Sequence, residues 1–348
     1  WKRLYAQIAE VHEPFTRENL WRIFAVWAVL KGIQLPDWKQ LEGTPSRRIK
    51  GKFDEHSKIR KYRESIPDWM DEVAVKELGE KVWESEIHAL NQQAAVILRV
   101  NRLKTDKKTL QKLLRQENID TAFITNYPDA LLLKERSNIF KTDAFQNGLF
   151  EVQDASSQLV AELLDVEPGM RVVDSCAGAG GKTLHLASKM NNKGQIIALD
   201  IYANKLKELK RRARRNGAHN IETREIDSSK VIKKLHNSMD RVLIDAPCSG
   251  LGVLRRNPDA KWKLQPEFLD TIKEVQQEIL RNYSKMLKVS GKMVYATCSI
   301  LPSENQDQVT AFLTSPEGQN FRLLKDKKIL ASTSGFDGFY MALLERTN

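Results

Sequence analysis

Two cysteines follow apolar segments that have the composition of buried strands. Residues 242–244 precede Asp245 and Cys248, and residues 293–297 precede Cys298. In open α/β sheets, ligands bind outside the carboxyl ends of the parallel strands, so both thiols and Asp245 fall where such a sheet performs its chemistry. A thiol is a strong nucleophile once it ionises, but its usual pKa of about 8.5 means that its surroundings must help it to do so. The pattern predicts one shared site for covalent catalysis.

A glycine-rich turn follows another predicted strand, residues 171–174, and opens a helix. The turn consists of Cys176, Ala177, Gly178, Ala179, Gly180, Gly181 and Lys182. Its glycines allow the backbone to approach a ligand closely and direct helix N-terminal amides toward it. Asp200 ends the next strand about twenty residues later, the usual offset for a ribose-binding acid in this architecture. Asp227, just past the third strand, is placed to flank an adenine, so the turn and the two acids predict a cofactor pocket.

Three classes of protein use a turn of this kind. A dinucleotide-binding G-x-G-x-x-G requires glycine at position 183, where this chain has Thr183. A phosphate-binding loop requires glycine at position 176, where this chain has Cys176. The spacing favours the third class, in which the turn binds S-adenosylmethionine. A P-loop-like nucleotide hydrolase stays open as an alternative, because residues 242–245 also resemble the strand and acid that hold magnesium in such enzymes.

Carbon 5 of cytosine gives a chemical reason for two thiols beside such a pocket. It is a poor nucleophile, and its methylation requires prior attack of a thiol on carbon 6, which turns the ring into an enamine-like species. An acid such as Asp245 would offset the charge pushed onto N3, and a second thiol would help to resolve the adduct. A free cysteine is usually a small buried hydrophobic residue. All three cysteines of this chain follow predicted strands, which favours the chemical interpretation.

Four segments together resemble the Sun-type RNA cytosine-5 methyltransferases, the family that includes the bacterial 16S ribosomal RNA enzymes. They are Asp245-Ala-Pro-Cys248-Ser-Gly, Ala296-Thr-Cys298-Ser, Gln153-Asp-Ala-Ser-Ser157 and Cys176-Ala-Gly-Ala-Gly-Gly-Lys182-Thr. The resemblance covers residues 65–348. It implies that Cys298 is the nucleophile, that Cys248 promotes product release, and that Asp245 holds the cytosine.

The resemblance also implies a cofactor pocket for S-adenosylmethionine. Its predicted lining consists of Cys176, Ala177, Gly178, Ala179, Gly180, Gly181, Lys182, Asp200, Asp227 and Asp245. Lys182 is expected to act as a cation at the start of a helix near the cofactor rather than in a proton transfer. The family usually has Cys-Ala-Ala-Pro-Gly-Gly-Lys in the turn, whereas this chain has Gly178 and Ala179 in place of the second alanine and the proline. Loss of the proline predicts a more flexible turn.

The order of predicted elements indicates the fold and the domains. From residue 151 onward strands and helices alternate, which predicts an α/β fold with a doubly wound, Rossmann-like methyltransferase sheet over residues 151–348. Residues 65–150 predict a small α+β module that binds RNA. Residues 1–64 predict a helical segment with a solvated basic linker at 47–63. Its apolar stripe is predicted to be core and consists of Leu20, Ile23, Phe24, Trp27 and Leu30.

The charge of the chain indicates its partner, and its cysteine content indicates its location. The net charge of +11 favours nucleic acid as the partner, and ribosomal RNA is preferred over transfer RNA through the resemblance alone. The cations expected to grip the target strand are Arg255, Arg256, Lys261 and Lys263. Three cysteines are too few for a disulfide framework, which predicts a reducing, cytoplasmic location.

A catalytically silent RNA-binding assembly factor stays open as an alternative function. A DNA cytosine methyltransferase, which would use Cys248 as nucleophile, is disfavoured.

Further predictions concern metals, membranes and assembly. The six histidines lack metal-ligand spacing, so no metal site is predicted. The longest apolar run, residues 23–30, is too short to span a bilayer, so no membrane partner is expected. The oligomeric state stays open, with a monomer preferred.

Overall fold

The computed structural model describes residues 2–348, which form two compact units. One unit comprises the residues up to Asn91 together with Asp259–Pro266. The other comprises Gln92–Pro258 and Glu267–Asn348 and contains both β-sheets. Within residues 2–348, no helix is long and apolar enough to cross a membrane.

The first unit is helical. Its helices before residue 91 are α1 (Lys2–Ile8), α2 (Arg17–Leu30), α3 (Ser46–His56), α4 (Arg60–Arg63), α5 (Asp68–Leu78) and α6 (Glu80–Leu90). The predicted stripe on α2 is only partly core, because Leu20 is 54 % exposed and Trp27 is 37 % exposed. Val26 and Val29 are buried instead, against residues of α1 and α3.

The predicted basic linker is wrong, because residues 47–63 form most of α3 and all of α4. Arg60 explains the order of this segment. Its side chain is largely buried, its Nε donates to Asp71 Oδ1 at 2.8 Å, and its guanidinium also pairs with Glu80 and Glu84. These ion pairs join α4 to α5 and α6. In the structure, residues on both sides of the boundary predicted between 64 and 65 belong to one compact unit, which also includes Asp259–Pro266.

The second unit begins with a small antiparallel sheet. Its elements are β1 (Ile97–Val100), α7 (Lys107–Gln116), β2 (Thr121–Phe123), β3 (Ala130–Leu133), α8 (Asp143–Gln146) and β4 (Phe150–Val152). The strand order is β2-β3-β1-β4. Leu98 and Leu131 of the sheet pack with Leu110 and Leu114 of α7 in one hydrophobic cluster. The α+β character predicted for this region agrees with the structure.

A mixed sheet of seven strands forms the rest of the second unit. Its strands are β5 (Arg171–Asp174), β6 (Gln195–Asp200), β7 (Ile221–Glu225), β8 (Met239–Asp245), β9 (Leu287–Thr297), β10 (Phe321–Ile329) and β11 (Phe339–Arg346), in the order β10-β11-β9-β8-β5-β6-β7. Strands β5 to β9 pair in parallel, and β11 is antiparallel to both neighbours. The doubly wound α/β sheet is confirmed. The sequence pattern does not predict β10, an edge strand whose side chains are almost all exposed.

Helices cover both faces of this sheet. They are α9 (Ala155–Leu164), α10 (Gly181–Lys189), α11 (Ala203–Asn216), α12 (Ser229–Lys233), α14 (Pro266–Tyr283), α15 (Gln306–Leu313) and α16 (Ala331–Ser334), while α13 (Ala260–Lys263) lies in the helical unit. Val172 and Leu243 belong to one hydrophobic cluster, and Val173 and Val242 belong to a second. Because successive side chains of a strand point to opposite faces, these clusters are the two cores of a doubly wound sheet.

A buried histidine fixes α10, the helix that follows the glycine-rich turn. His185 is 1 % exposed, and its Nε2 lies 2.9 Å from Asp129 Oδ2 in the turn before β3. Burial lowers the pKa of His185 to about 4, so the ring is neutral at pH 7. Asp129, Glu162 and His185 have potential metal-ligand atoms within 4.8 Å of one another. Arg102 and Lys189 already pair with the two carboxylates, so the group is a neutralised anchor for α10.

The stability of the protein should fall as the pH decreases from about 6.5 to about 4. Between these pH values His185 becomes protonated in the unfolded chain but stays neutral in the folded protein. Proton binding therefore stabilises the unfolded chain and lowers the free energy of unfolding by up to about 3 kcal/mol. Urea unfolding of the parent and His185→Gln, measured across this range, should show a shallower pH dependence in the variant. His219→Gln changes an exposed histidine and should keep the parental slope. Equal slopes in the parent and His185→Gln would contradict the assignment.

Candidate active site

The glycine-rich turn is held from β6. Ala177 N donates to Leu199 O at 2.9 Å, and Gly178 N donates to Asp200 Oδ2 at 2.7 Å. The other oxygen of Asp200 accepts from Tyr202 N at 2.8 Å. Asp200 is 9 % exposed, so its carboxylate is stabilised by backbone amides rather than by bulk water. The turn and the acid predicted to bind the cofactor are therefore directly connected.

Two glycines of the turn have backbone conformations that favour glycine. Gly178 has φ +54° and Gly180 has φ +88°. A Cβ on Gly180 would lie 2.5 Å from Leu209 Cγ on α11, whereas a Cβ on Gly178 would meet no atom within 4 Å. Hydrogen bonds take over the restraint that proline supplies in the usual family sequence, because Arg212 Nη1 donates to Ala179 O at 2.7 Å. The backbone near Gly178 is thus open to a ligand and still held in place.

Asp174 lies at the base of the turn, and the sequence analysis did not select it as a site residue. It is 1 % exposed, and Thr183 Oγ1 donates to its Oδ2 at 2.7 Å. Its buried Oδ1 has no hydrogen-bond partner among the described residues. Burial, with a smaller contribution from Asp245, raises the pKa of Asp174 to about 7. The end of β5 was a usable signal for this residue, since the other acids of the site also end strands.

The two thiols lie against each other. Cys248 Sγ and Cys298 Sγ are 3.3 Å apart, and both cysteines are free and partly exposed. Gly252 N, on the loop after Cys248, donates to Cys298 O at 2.9 Å and ties the two segments together. The hydrogen bond to Cys298 and burial raise the pKa of Cys248 well above its usual value. Cys248 therefore keeps its proton at neutral pH and is placed to donate it toward the sulfur of Cys298.

The predicted acid of the site forms an ion pair with Lys182. Lys182 Nζ lies 2.7 Å from Asp245 Oδ2, and the lysine side chain is only 11 % exposed. The ammonium also lies 5.0 Å from the centre of the Phe339 ring. Lys182 therefore joins the cofactor turn to the end of β8, so it contacts a catalytic candidate as well as standing at the start of α10.

Two other predicted pocket residues have less specific surroundings. Asp227 is exposed, and its carboxylate accepts a hydrogen bond from Ser228 Oγ at 3.0 Å. Burial raises the pKa of Cys176, so this thiol is protonated at neutral pH and is unsuited to nucleophilic attack. Cys176 can contribute to the pocket through its backbone position in the turn.

The cations predicted to grip the target strand are mostly committed to other contacts. Arg255 Nε donates to Asp337 Oδ1 at 2.7 Å, and Arg256 pairs with Asp337 and with Asp154. In the helical unit, Lys261 is 5 % exposed and its Nζ donates to Asn91 Oδ1 at 2.8 Å. Burial removes Lys261 and the Arg255 side chain from the surface, which contradicts the prediction for these two residues. Arg256 is exposed despite its ion pairs, so its contact with RNA stays a prediction. Lys263 stays exposed.

Comparison with known proteins identifies the family. Residues 161–345 match the family described as 16S rRNA methyltransferase RsmB/F, and residues 66–140 match the ferredoxin-like domain of the same methyltransferases. A probable ribosomal RNA small subunit methyltransferase B from Synechocystis sp. is 35 % identical over 298 residues, which cover 81 % of this chain and 67 % of that protein. The chain belongs to the RsmB/F methyltransferase family. It spans about two thirds of the length of the curated relatives that it matches.

Solved structures agree with this assignment. A methyltransferase homologue from Pyrococcus horikoshii has a TM-score of 0.73 and 25 % identity, and covers 82 % of this chain and 97 % of that one. The fold is also that of NSun6 from Pyrococcus horikoshii, solved with SFG, at a TM-score of 0.75 and 19 % identity over 82 % of this chain and all of that one. The predicted family and methyltransferase class are confirmed. Membership of this methyltransferase family points to S-adenosylmethionine as the cofactor, and the nucleotide-hydrolase alternative gains no support.

Substitution of Gly180 should disturb the turn more than substitution of Gly178. Gly178→Ala should cost about 1 kcal/mol, because only the positive φ is unfavourable. Gly180→Ala should cost at least about twice as much, since its methyl group also collides with Leu209. Denaturant unfolding of the two variants measures the difference. Equal destabilisation would show that Leu209 moves away freely.

Proposed function

We propose that this protein transfers the methyl group of S-adenosylmethionine to carbon 5 of a cytosine in RNA, with 16S ribosomal RNA as the preferred substrate. The observation that carries the proposal is the pair of thiols at the ends of neighbouring strands, 3.3 Å apart, beside an acid that pairs with Lys182. A single thiol would suffice for a simple nucleophile. Two thiols and an acid fit a reaction that must form an adduct and then resolve it.

The residues around the turn fit the cofactor. The Asp200 carboxylate suits the ribose hydroxyls, since it can accept from them while it accepts from Gly178 N and Tyr202 N. The open space over Gly178 admits a ligand close to the backbone, and the unpartnered Oδ1 of Asp174 offers a buried acceptor. When bound, S-adenosylmethionine supplies an electrophilic methyl group. Asp227, by its place after β7, would lie on the adenine side of the pocket.

The first step is attack of the Cys298 thiolate on carbon 6 of the cytosine, after the thiol has given its proton to a water molecule. The new carbon–sulfur bond pushes a pair of ring electrons toward N3, and the Lys182–Asp245 pair compensates that charge. Carbon 5 thereby gains the electron density that it needs to accept a methyl group. The protonated Cys248, 3.3 Å from Cys298 Sγ, stabilises negative charge on the attacking sulfur by hydrogen bonding.

The adduct is resolved after the methyl group has been transferred. A base, for which a water molecule suffices, removes the proton from carbon 5. The electron pair released restores the double bond between carbons 5 and 6 and breaks the bond between carbon 6 and sulfur. Cys248 donates a hydrogen bond to the departing sulfur of Cys298, which makes it a better leaving group. This is the role in product release that the family resemblance implies.

The choice of RNA is supported by charge and by the relatives. The net charge is +11, and α11 exposes five of its cations, Lys205, Lys207, Lys210, Arg211 and Arg214. A thiol that attacks carbon 6 needs an unstacked base, so we expect a single-stranded or flippable cytosine. The relatives named as ribosomal RNA small subunit methyltransferases favour ribosomal RNA. The ferredoxin-like module is proposed to contribute to RNA binding.

Asp200→Ala should weaken binding of S-adenosylmethionine at least about tenfold, because it removes a charged acceptor for the ribose and a brace of the turn. Affinity for RNA should stay at the parental value. Calorimetric titration with the cofactor and filter binding with RNA measure the two effects. Asp227→Ala, a change at an exposed acid, should reduce cofactor affinity less. Equal cofactor affinity in the parent and Asp200→Ala would refute the ribose assignment.

Cys248→Ala should accumulate a covalent complex with unmodified 16S ribosomal RNA in the presence of S-adenosylmethionine. The reason is that attack by Cys298 proceeds while elimination lacks its hydrogen-bond donor. A denaturing gel detects the complex, and Cys298→Ala provides the matched control that should form none.

Other outcomes of this experiment separate the alternatives. An adduct that depends on Cys248 would reverse the two roles and indicate chemistry of the DNA-enzyme type. Absence of both adduct and methyl transfer with every RNA tested would favour the catalytically silent RNA-binding factor.

A further inference from the structure

A buried carboxylate lies behind the two thiols. Glu304 ends the short 3₁₀ turn Pro302–Glu304, six residues after Cys298, and its side chain is completely buried. A buried acid of this kind is costly unless several donors compensate it. Three of the four hydrogen bonds that Glu304 accepts come from the two segments that carry the thiols.

The two oxygens of Glu304 accept four hydrogen bonds. Oε2 accepts from Ser249 N at 2.7 Å and from Gln276 Nε2 at 3.2 Å. Oε1 accepts from Ser249 Oγ at 2.5 Å and from Ser299 Oγ at 2.5 Å. Ser249 directly follows Cys248, and Ser299 directly follows Cys298. One carboxylate thus binds the residue next to each thiol.

Neighbouring side chains extend the same connection. Asn305 Nδ2 donates to Ser299 O at 3.0 Å, and Thr297 Oγ1 donates to Asn305 Oδ1 at 2.5 Å, so Asn305 holds the Cys298 segment on both sides of the cysteine. Gln276 Nε2 also donates to Pro247 O at 2.9 Å, immediately before Cys248. Glu304 contacts both thiol segments, which are also joined directly by Ser249 Oγ, 3.3 Å from Ser299 Oγ, and by the hydrogen bond from Gly252 N to Cys298 O.

We propose that Glu304 is a positioning residue that sets the distance between Cys248 and Cys298. It contacts no reacting atom, and its effect passes through Ser249 and Ser299. This inference deepens the proposed function, on which its catalytic consequence rests, because Cys248 can assist the departure of Cys298 only while the two sulfurs stay in contact. The charge of Glu304 matters, since hydrogen bonds to an ionised acceptor are about twice as strong as neutral ones.

The geometry can be tested without RNA or cofactor. A mild dithiol oxidant, diamide, converts adjacent thiols to a disulfide and takes up their two electrons and two protons. Peptide mapping by mass spectrometry then measures how fast Cys248 and Cys298 become linked. The parent should link rapidly because its sulfurs are in contact.

Glu304→Ala should link the thiols at least about tenfold more slowly, because a displacement of about 1 Å costs up to about 100-fold between positioned groups. The linkage rate of Glu304→Gln should lie between those of the parent and Glu304→Ala. Its amide oxygen can still accept from Ser249 N and Gln276, and its amide nitrogen can donate to the serine hydroxyls once these rotate. Ser299→Ala removes one of the hydrogen-bond donors to Glu304 and should also slow the linkage. If Glu304→Ala does not fold, Ser299→Ala is used in its place.

The matched control is Glu64→Gln, the same change at a buried carboxylate of the helical unit that contacts Asn91 and Arg63. It should link Cys248 and Cys298 at the parental rate even though it lowers stability. Parental linkage rates in Glu304→Ala, or in Ser299→Ala and Glu304→Gln, would overturn the proposal.

A second measurement tests the catalytic consequence. With 16S ribosomal RNA and S-adenosylmethionine, Glu304→Gln should raise the fraction of trapped protein–RNA adduct and lower kcat severalfold, while its affinity for the cofactor stays at the parental value. If the parent and Cys248→Ala form no adduct, the proposed function fails and the linkage rates still decide the positioning role. If they form it and Glu304→Gln resolves it like the parent, the positioning role in catalysis fails alone.

Discussion

The parallel pairing of β8 with β9 is the constraint on which the site depends. Asp245 lies opposite Ala296 in this register, so the two strands end at the same edge of the sheet. Residues fifty positions apart in sequence thereby place their sulfurs 3.3 Å apart. β5 and β6 end at the same edge and add the glycine-rich turn and Asp200. Because parallel strands share one direction, each loop that follows a strand contributes to one crevice.

Buried carboxylates organise this crevice, and they differ in how fully they are compensated. Glu304 accepts four hydrogen bonds within the protein, Asp200 accepts from two backbone amides, and one oxygen of Asp174 has no hydrogen-bond partner within residues 2–348. A fully compensated acid fixes the surrounding backbone, whereas an incompletely compensated one gains by accepting from a ligand. The acid behind the thiols is thus fully compensated by hydrogen bonds, whereas the acids of the proposed cofactor pocket keep capacity to accept from a ligand.

Many cations of this protein take part in internal contacts, so the number of cations in the sequence overstates how many are available to bind RNA. Arg255 and Arg256 share Asp337, Arg212 and Arg215 share Glu151, and Lys261 is buried. These cations hold parts of the fold together, so their side chains are less available to RNA than those of exposed lysines. The exposed lysines of α11 and Lys263 stay available to solvent or to a polyanion.

The amino-acid sequence by itself determined the strands that end at Asp174, Asp200 and Asp245, because apolar runs that stop at an acid or a proline are local signals. It also indicated the thiol pair, through two motifs with one architecture. Tertiary structure alone decided the roles of Glu304, Asp174 and the cations after Cys248. Their partners lie far away in sequence, and whether a charged side chain is compensated, orphaned or exposed depends on which distant groups the fold brings to it. The edge strand β10 escaped prediction for a related reason, since its sequence, with adjacent Leu323 and Leu324 followed by charged residues, has no alternating hydrophobic pattern and its pairing with β11 creates the strand.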